Sequence, residues 1–503
     1  MRRSPLPEMV SRRDAMKIVG ATAIGIAGSS FADEPSGSPA PVHDRKAVGS
    51  KPMNESKLSF QRELPIRHEA DVFVAGGGPA GVAAAVAAAR QGARVFLAEG
   101  EACLGGIGTA GGLPLMCSFT DGVNFVAGGV GKMVHERMHA AGGVAIPSLR
   151  GNRDLYFSPE VLKCVYDDLL AEAGVEFTFN THVLAVECED GRLRHAVCCG
   201  KSGPFAVACK ACVDATGDGD VCAWAGAPFD KGDEKGLMQP GSLISLWAGI
   251  DWKAAADAGC GVWKQSGRLD EAIDNGVFTV PDPGMPGITP TGKATGNGNL
   301  GHLFGVDGTD ERSVTKAAIH GRKIAPEYGT YFREYLTGYE NIELVTTAAR
   351  VGIRETRRIR GDYVLTVDDY RKRAVFDDEI GRYAYAIDVH ASTLKPRPKK
   401  RKRKGGGFDS NWLPDGESYG IPYRVLTPRG LHNVLASGRC VSADRKVLGS
   451  LRVMPGCFIT GQAAGTAAAM VAEQDTDVRS LSVPQLQQRL IALGAYLPNA
   501  AAS

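Results

Sequence analysis

The spacing of apolar residues is most regular between Ala70 and Gly100, where the chain reads ADVFVAGGGPAGVAAAVAAARQGARVFLAEG. The apolar run Val72–Ala75 predicts a short buried strand, and the alanine-rich stretch from about Pro79 to Arg90 predicts a helix stopped by Gly92. Arg94 to Ala98 then predicts a second strand. Farther on, RHAVCCG, turn signals at KSGP and FAVACKACVDATG predict a hairpin that ends in Val213–Asp220, VDATGDGD. Asn433–Arg439, NVLASGR, reads as an apolar strand entering a glycine turn. A helix of small residues is expected from about Met454 to Ala472. The last pattern, Val483–Leu493, sets Leu486, Leu490 and Leu493 on one face and calls for core docking alone. Strands and helices alternate toward both ends, while the middle is less regular, which is an α/β arrangement with an insertion.

Length and composition narrow the class only modestly. The 503 residues exceed one ordinary domain and suggest two or three units. A formal net charge of +2 gives no sign of a nucleic-acid binder. Twelve cysteines invite a search for metal or redox pairs. The best candidates, Cys209 and Cys212 in CKAC beside Cys198 and Cys199, fall on a predicted strand. Residues three apart there point to opposite faces, which favours buried thiols over chelation. The tract Lys399–Lys404 is the one charge run, and a solvated surface loop is its default reading.

The first residues change the expected location. Ser11-Arg12-Arg13 and Lys17, a short apolar stretch from Ile18 to Ala27, and the small-x-small site Ser30-Phe31-Ala32 read as a twin-arginine export signal over residues 1–32. Ala15 stands where that signal usually has Phe. The apolar stretch falls short of the ~20 residues of a bilayer span, which disfavours the alternative of an uncleaved anchor. Residues 33–68 read as a linker rich in Pro, Ser, Lys and Glu. The expected destination is the periplasm, with the twin-arginine translocase as a transient partner and no stable membrane insertion after cleavage.

The candidate chemistry begins at Gly76-x-Gly78-x-x-Gly81. Gly76 permits the tight turn, Gly78 lets backbone approach a diphosphate, and Gly81 lets helix and strand pack closely. The helix opening at Pro79 and Ala80 turns free amides and its positive dipole end toward the phosphates. Glu99, closing the second strand, is placed to accept ribose hydroxyls, and a carboxylate there disfavours NADP. Gly106–Gly111 repeats the GxGxxG spacing without a preceding strand or following helix, and reads as a loop beside the cofactor. The later segments at 213–220, 433–439 and 454–472 argue for FAD over NAD, since the last helix can aim its amides at a reduced flavin ring.

Together these stretches resemble the FAD-dependent oxidoreductase family related to the fumarate reductase and succinate dehydrogenase flavoproteins. The resemblance is carried by GGGPAGVAAAVAAARQGARV with Glu99, Leu104-Gly105-Gly106, FSPEVLKCVYDDLLAEAGV, VDATGDGD, GIRETRRIRGDYVLT, YAIDVH and LASGRCVSADRKVLGSLRVMPGCFITGQAAG. It spans about residues 70–475 and departs at the basic loop 394–408 and at Gly456, where a Thr is common. It implies a Rossmann-type FAD-binding α/β domain built from residues 69–116, 150–230 and 425–475. An α+β substrate domain, 231–424, is inserted, and 476–503 form a C-terminal helix and tail. By resemblance the diphosphate lies at Gly76, Gly78 and Gly81, the ribose at Glu99, and the adenine near the backbone of Val183. Gly105, Gly106, Thr216 and Gly217 flank the cofactor, while Gly438, Arg439 and a helix beginning near Gly461 serve its flavin half.

The implied activity is hydride transfer between a small organic substrate and flavin N5, with dioxygen or an electron carrier completing the cycle. Candidate helpers are His390 as base, Tyr385, Arg354, Arg357, and Arg452 as a clamp for anionic charge. An ion-pair network among Arg354, Glu355, Arg357 and Arg358 is an equal reading of RETRR. Two other classes stay open at this point: a non-catalytic or carbohydrate-surface protein with structural FAD, and an NAD-binding module.

Overall fold

The computed structural model describes residues 58–59, 61–282, 284, 286–394 and 412–500. The expected export signal, most of the linker and the basic tract Lys399–Lys404 lie outside the described residues. The compact unit Glu63–Ser503 carries every element below.

A seven-stranded sheet forms its centre. Ile66–Ala75 pairs in parallel with Val95–Ala98 on one side and Gly203–Asp214 on the other. Glu176–Thr178 extends the sheet beyond Val95–Ala98, and Val434–Ala436 pairs in parallel with the end of Gly203–Asp214. This is the strand order of a dinucleotide fold, with the helix Pro79–Arg90 crossing from the first strand to its neighbour. The first strand starts at Ile66, ahead of the expected boundary at 69, and so takes in the end of the expected linker. The predicted hairpin is present as Arg192–Gly200 against Gly203–Asp214, with His182–Glu189 outside it.

Both faces of the central strands are covered, which is why Val72–Ala75 and Val95–Ala98 are apolar on both sides, while the outer strand His182–Glu189 is largely exposed. Val72 and Val74 pack with the helices Pro79–Arg90 and Met454–Gln474, while Phe73 and Ala75 turn to a second core with Phe96, Cys212 and Val434. The two alanine-rich helices are in close contact. A Cβ on Gly461 would lie 2.1 Å from the Ala80 carbonyl oxygen, and one on Gly465 would lie 2.0 Å from that of Ala84. Only hydrogen fits in that seam.

The inserted region has its own antiparallel sheet, ordered Pro286–Pro290, Gly296–Leu300, Ser245–Ala248 and Glu343–Thr347. The helix Glu311–Tyr335 backs it through Tyr328, Tyr331 and Phe332, which share a core with Trp247. The expected insertion of 231–424 is too long by this packing. Leu365, Tyr370, Ile380, Tyr383, Tyr419 and Tyr423 share the core of the two alanine-rich helices, so the segment after about residue 360 belongs with the nucleotide domain. Among the described residues no helix is long and apolar enough to cross a membrane.

Candidate functional site

A cavity of about 1210 Å³ runs from the first glycine turn to the inserted sheet. It exceeds the ~300–1,000 Å³ of an ordinary small-molecule pocket, leaving room for a dinucleotide and a further small molecule. At its glycine end, Gly76 has φ +92°, and a Cβ there would sit 2.7 Å from the Ala215 carbonyl oxygen. Gly78 caps the first helix with open space where a Cβ would point. That helix has Pro in its first turn, no acidic residue there and no side-chain cap, so its N-terminal amides and dipole meet the cavity uncompensated. The cradle fits a diphosphate. Gly81 contributes by packing, since its Cβ would lie 1.8 Å from the Gly76 carbonyl oxygen.

Glu99 is buried and lines the cavity. Its Oε2 accepts the Gly77 amide at 2.6 Å and its Oε1 the Glu101 amide at 2.8 Å. A carboxylate has about four acceptor positions, so two remain for ribose hydroxyls.

Pro79, Ala80, Gly106, Val183, Thr216, Gly217, Gly438 and Arg439 all line the same cavity. The Thr216 hydroxyl donates to Asp214 at 2.8 Å, and Arg439 is paired with Asp218 at 2.8 Å across Gly217. Two expected contacts are corrected. Gly105 is a turn residue at φ +101°, walled by Thr109 and Tyr166, and its amide donates to the Gly77 carbonyl instead of facing the cavity. Gly461 lies about two turns inside its helix against Ala80. The helix starts at Met454, and Val453, Met454 and Cys457 are its cavity-lining residues. The Gly106–Gly111 repeat is a short 3-10 turn, as its lack of flanking elements predicted.

At the other end stand Arg354, Tyr385, His390 and Arg452, while Arg357, also an expected helper, does not line the cavity. Arg354 donates to the Pro240 carbonyl at 2.7 Å and the Ser242 hydroxyl at 3.1 Å. Burial and the neighbouring Arg452 push it down to about 10, so it stays cationic at neutral pH. The ion pairs of its sequence neighbours run mostly outside the expected network: Arg357 pairs with Asp220 at 2.6 Å and Glu355 takes Arg445 at 2.8 Å, while Arg358 lies 3.9 Å from Glu355. Arg452 donates to the Asp388 carbonyl at 3.0 Å, and its Nε is buried without a partner. Tyr385 is buried, which drives its phenol well up and leaves it a proton donor.

His390 is not a free base in this arrangement. Its Nε2 lies 3.1 Å from Asp388 Oδ1 and its Nδ1 lies 2.9 Å from His302 Nε2. His302 was not singled out in the sequence, nor was Asp282, whose Oδ2 meets His302 Nδ1 at 2.8 Å. Arg150, paired with Asp154 and stacked 3.9 Å over the Trp412 ring, also lines the cavity unannounced. No periodic signal marks these positions; His302 sits in a Gly- and Asn-rich stretch, GNGNLGHLFG. All twelve cysteines are free, with Cys209 raised to about 12 by burial, and the described residues form no metal-binding cluster.

Comparison with known proteins adds the family. No curated protein matches the chain. Among solved structures, a geranylgeranyl bacteriochlorophyll reductase-like protein from Thermoplasma acidophilum is 13% identical with a TM-score of 0.37, covering 85% of this chain and 83% of that one. A p-nitrophenol 4-monooxygenase from Pseudomonas putida is 14% identical with a TM-score of 0.40, covering 84% of each chain. The flavin-dependent brominase Bmp2 is also 14% identical with a TM-score of 0.40, covering 84% and 82%. The model of the FAD dependent oxidoreductase family matches residues 71–490, from the first strand of the glycine turn to the last helix. That match takes in both ends of the cavity, and with it the chain belongs to the FAD dependent oxidoreductases.

Proposed function

We propose that this enzyme oxidises or reduces a small organic substrate at the arginine- and histidine-lined end of the cavity. The observation that carries the reading is continuity: one cavity joins the diphosphate cradle to Arg354, Arg452, Tyr385 and His390. The residues fitted to hold FAD are the backbone of Gly76, Gly78 and Ala80, then Glu99, Val183, Gly217, Gly438 and Arg439. Bound there, FAD supplies a two-electron couple at its N5 position.

The protein's own contribution is charge and proton control. Arg354 and Arg452 present fixed positive charge to a polar or anionic substrate group, and Arg452 Nε has a donor to spare. Tyr385 adds a protonated phenol. His390 and Asp388 hold a proton beside them. The apolar wall formed by Ile107, Leu113, Ile244 and Val453 displaces water, which strengthens each of these interactions.

The test is anaerobic reduction of the bound flavin by a panel of sugars, hydroxy acids and unsaturated-acid product pairs, followed by absorbance. Bleaching by one class, lost in Arg354→Ala and Arg452→Ala, is expected. A flavin that no member of the panel reduces or reoxidises favours a structural cofactor instead. The finer kinship to fumarate reductase and succinate dehydrogenase flavoproteins rests on GIRETRRIRGDYVLT and GSLRVMPGCFITGQAAG. Turnover of an unsaturated acid tests it.

Export to the periplasm through the twin-arginine translocase is proposed on Arg12-Arg13 and the segment that follows. Replacing both with lysine should retain the protein in the cytoplasm, and unchanged export refutes the route.

A further inference from the structure

Four side chains from three parts of the chain form one line at the substrate end of the cavity: Asp282, His302, His390 and Asp388. Their contacts measure 2.8, 2.9 and 3.1 Å in that order, and the two imidazoles meet at 70° with centroids 5.0 Å apart. The line is held from outside. Asp282 accepts the Gly284 amide at 2.9 Å and the His302 amide at 3.1 Å, while Gln239 accepts the His390 amide at 3.0 Å. A Cβ on Gly284 would strike the His302 ring at 2.6 Å. His302, His390 and Asp388 line the cavity, and Asp282 is buried behind them.

Counting protons gives the inference. Three contacts between hydrogen-bonding atoms need three protons. Two neutral imidazoles carry one each, and two carboxylates carry none. With only two protons, one contact sets bare acceptors against each other in a buried place, at the cost of an unsatisfied polar group. We propose that the Asp282–His302 pair holds a third, transferable proton at neutral pH and passes it to the reacting substrate through His390. This deepens the reading of the cavity as the reactive site and rests on it.

The surroundings fix where that proton resides. Burial and the Arg354 charge push His390 down to about 4, so its ring is neutral. Burial opposes ionisation of Asp388, but the His390 hydrogen bond and the Arg452 and Arg354 charges outweigh it and hold the carboxyl well below its usual range. His390 therefore donates from Nε2 to Asp388 and accepts at Nδ1 from His302 Nε2–H. His302 Nδ1 then also carries hydrogen toward Asp282, which accepts two backbone amides besides. Arg354 also faces Asp282 by charge, and the phenol of Tyr328 in the helix behind stays protonated because burial drives it well up.

Transfer in the reducing direction balances simply. The substrate takes the proton from His390 Nε2, His390 Nδ1 takes one from His302 Nε2, and His302 is left neutral with Nδ1–H on Asp282. One proton leaves and the unit loses one positive charge; oxidation runs the same steps backward. His302 and Asp282 are positioning residues, acting through His390.

The experiment is nitrogen NMR of the full chain with its flavin, labelled with ¹⁵N at its ten histidines. His302→Gln and His390→Gln assign the signals. At neutral pH the wild type should show His302 protonated on both ring nitrogens and His390 on Nε2 alone. Asp282→Asn, which keeps an acceptor but removes the charge, should strip one proton from His302 and leave His390 as Nε2–H against Asp388. A His302 carrying a single proton in the wild type overturns the proposal, as does an Asp282→Asn spectrum unchanged at His302. Flavin absorbance of the same sample is read separately, so a colourless protein with this proton pattern would sink the flavin reading and leave the relay standing.

Discussion

Replacing Gly461 or Gly465 with alanine should destabilise the protein, although helix propensity alone says the opposite. Gly→Ala inside a helix gains about 1 kcal/mol from backbone entropy. Here the added Cβ would lie 2.1 or 2.0 Å from a carbonyl oxygen of the facing helix, where contacts under 3.0 Å are essentially never found. The helices Pro79–Arg90 and Met454–Gln474 must part by about 1 Å along a seam of buried alanines, which costs roughly 2–4 kcal/mol in lost packing. The net expectation is a loss of about 1–3 kcal/mol for each variant.

Gly461→Ala carries a second effect, because Ala80, the residue it would strike, lines the cavity at the diphosphate cradle. A displacement costing 1.4 kcal/mol in binding weakens flavin about tenfold. Gly131→Ala is the control: it is also helical, but its nearest foreign atoms would be at 3.4 Å, and it should be neutral or gain up to about 1 kcal/mol. Urea unfolding followed by circular dichroism gives the stabilities, and flavin fluorescence gives release. A Gly465→Ala protein as stable as the wild type would refute the seam argument.

Glu99→Ala strands the buried amide of Gly77 and the half-buried amide of Glu101 and should cost about 1–3 kcal/mol along with flavin retention; a stoichiometrically yellow variant would contradict this. His135, edge-on to Phe119 and Phe125, is lowered to about 4 by burial and then by His139. The unfolded chain binds this proton at the higher pKa, so the stabilisation is complete above about pH 6.5 and fades as pH falls toward 4. After discounting for its exposure, His135→Gln should abolish about 1 kcal/mol of that decline in unfolding curves taken across the range, and parallel curves would refute it. NADH should not bleach the flavin quickly under anaerobic conditions, because the second GxGxxG is a 3-10 turn without a βαβ unit; rapid bleaching would show otherwise.

The parts legible in the sequence are those whose reason is local. Gly76, Gly78 and Gly81 declare themselves because backbone geometry and close approach are decided within a few residues, and Glu99 follows from the length of one βαβ unit. Arg452 and Arg354 were marked by the segments around them. The run of small residues placed the last long helix from about Met454, where Pro455 and the extended Val453 start it, whereas the resemblance put the flavin-half contact near Gly461, about two turns too far in. Gly456 departs from the commoner Thr where a Cβ would lie 2.3 Å from the Leu451 carbonyl oxygen. His302 and Asp282 were illegible for a different reason. The His302–His390 contact joins residues 88 apart, and neither lies in a repeating pattern that points inward.

The glycine–alanine seam also orders events in time. Its two helices are separated by most of the chain, so a polypeptide emerging from the ribosome carries the first for a long interval with its apolar face unmatched. Until the second arrives, the wall formed by Val453, Met454 and Cys457 is missing. Cofactor capture therefore belongs to the end of translation, and the half-made protein is the form most in need of a chaperone.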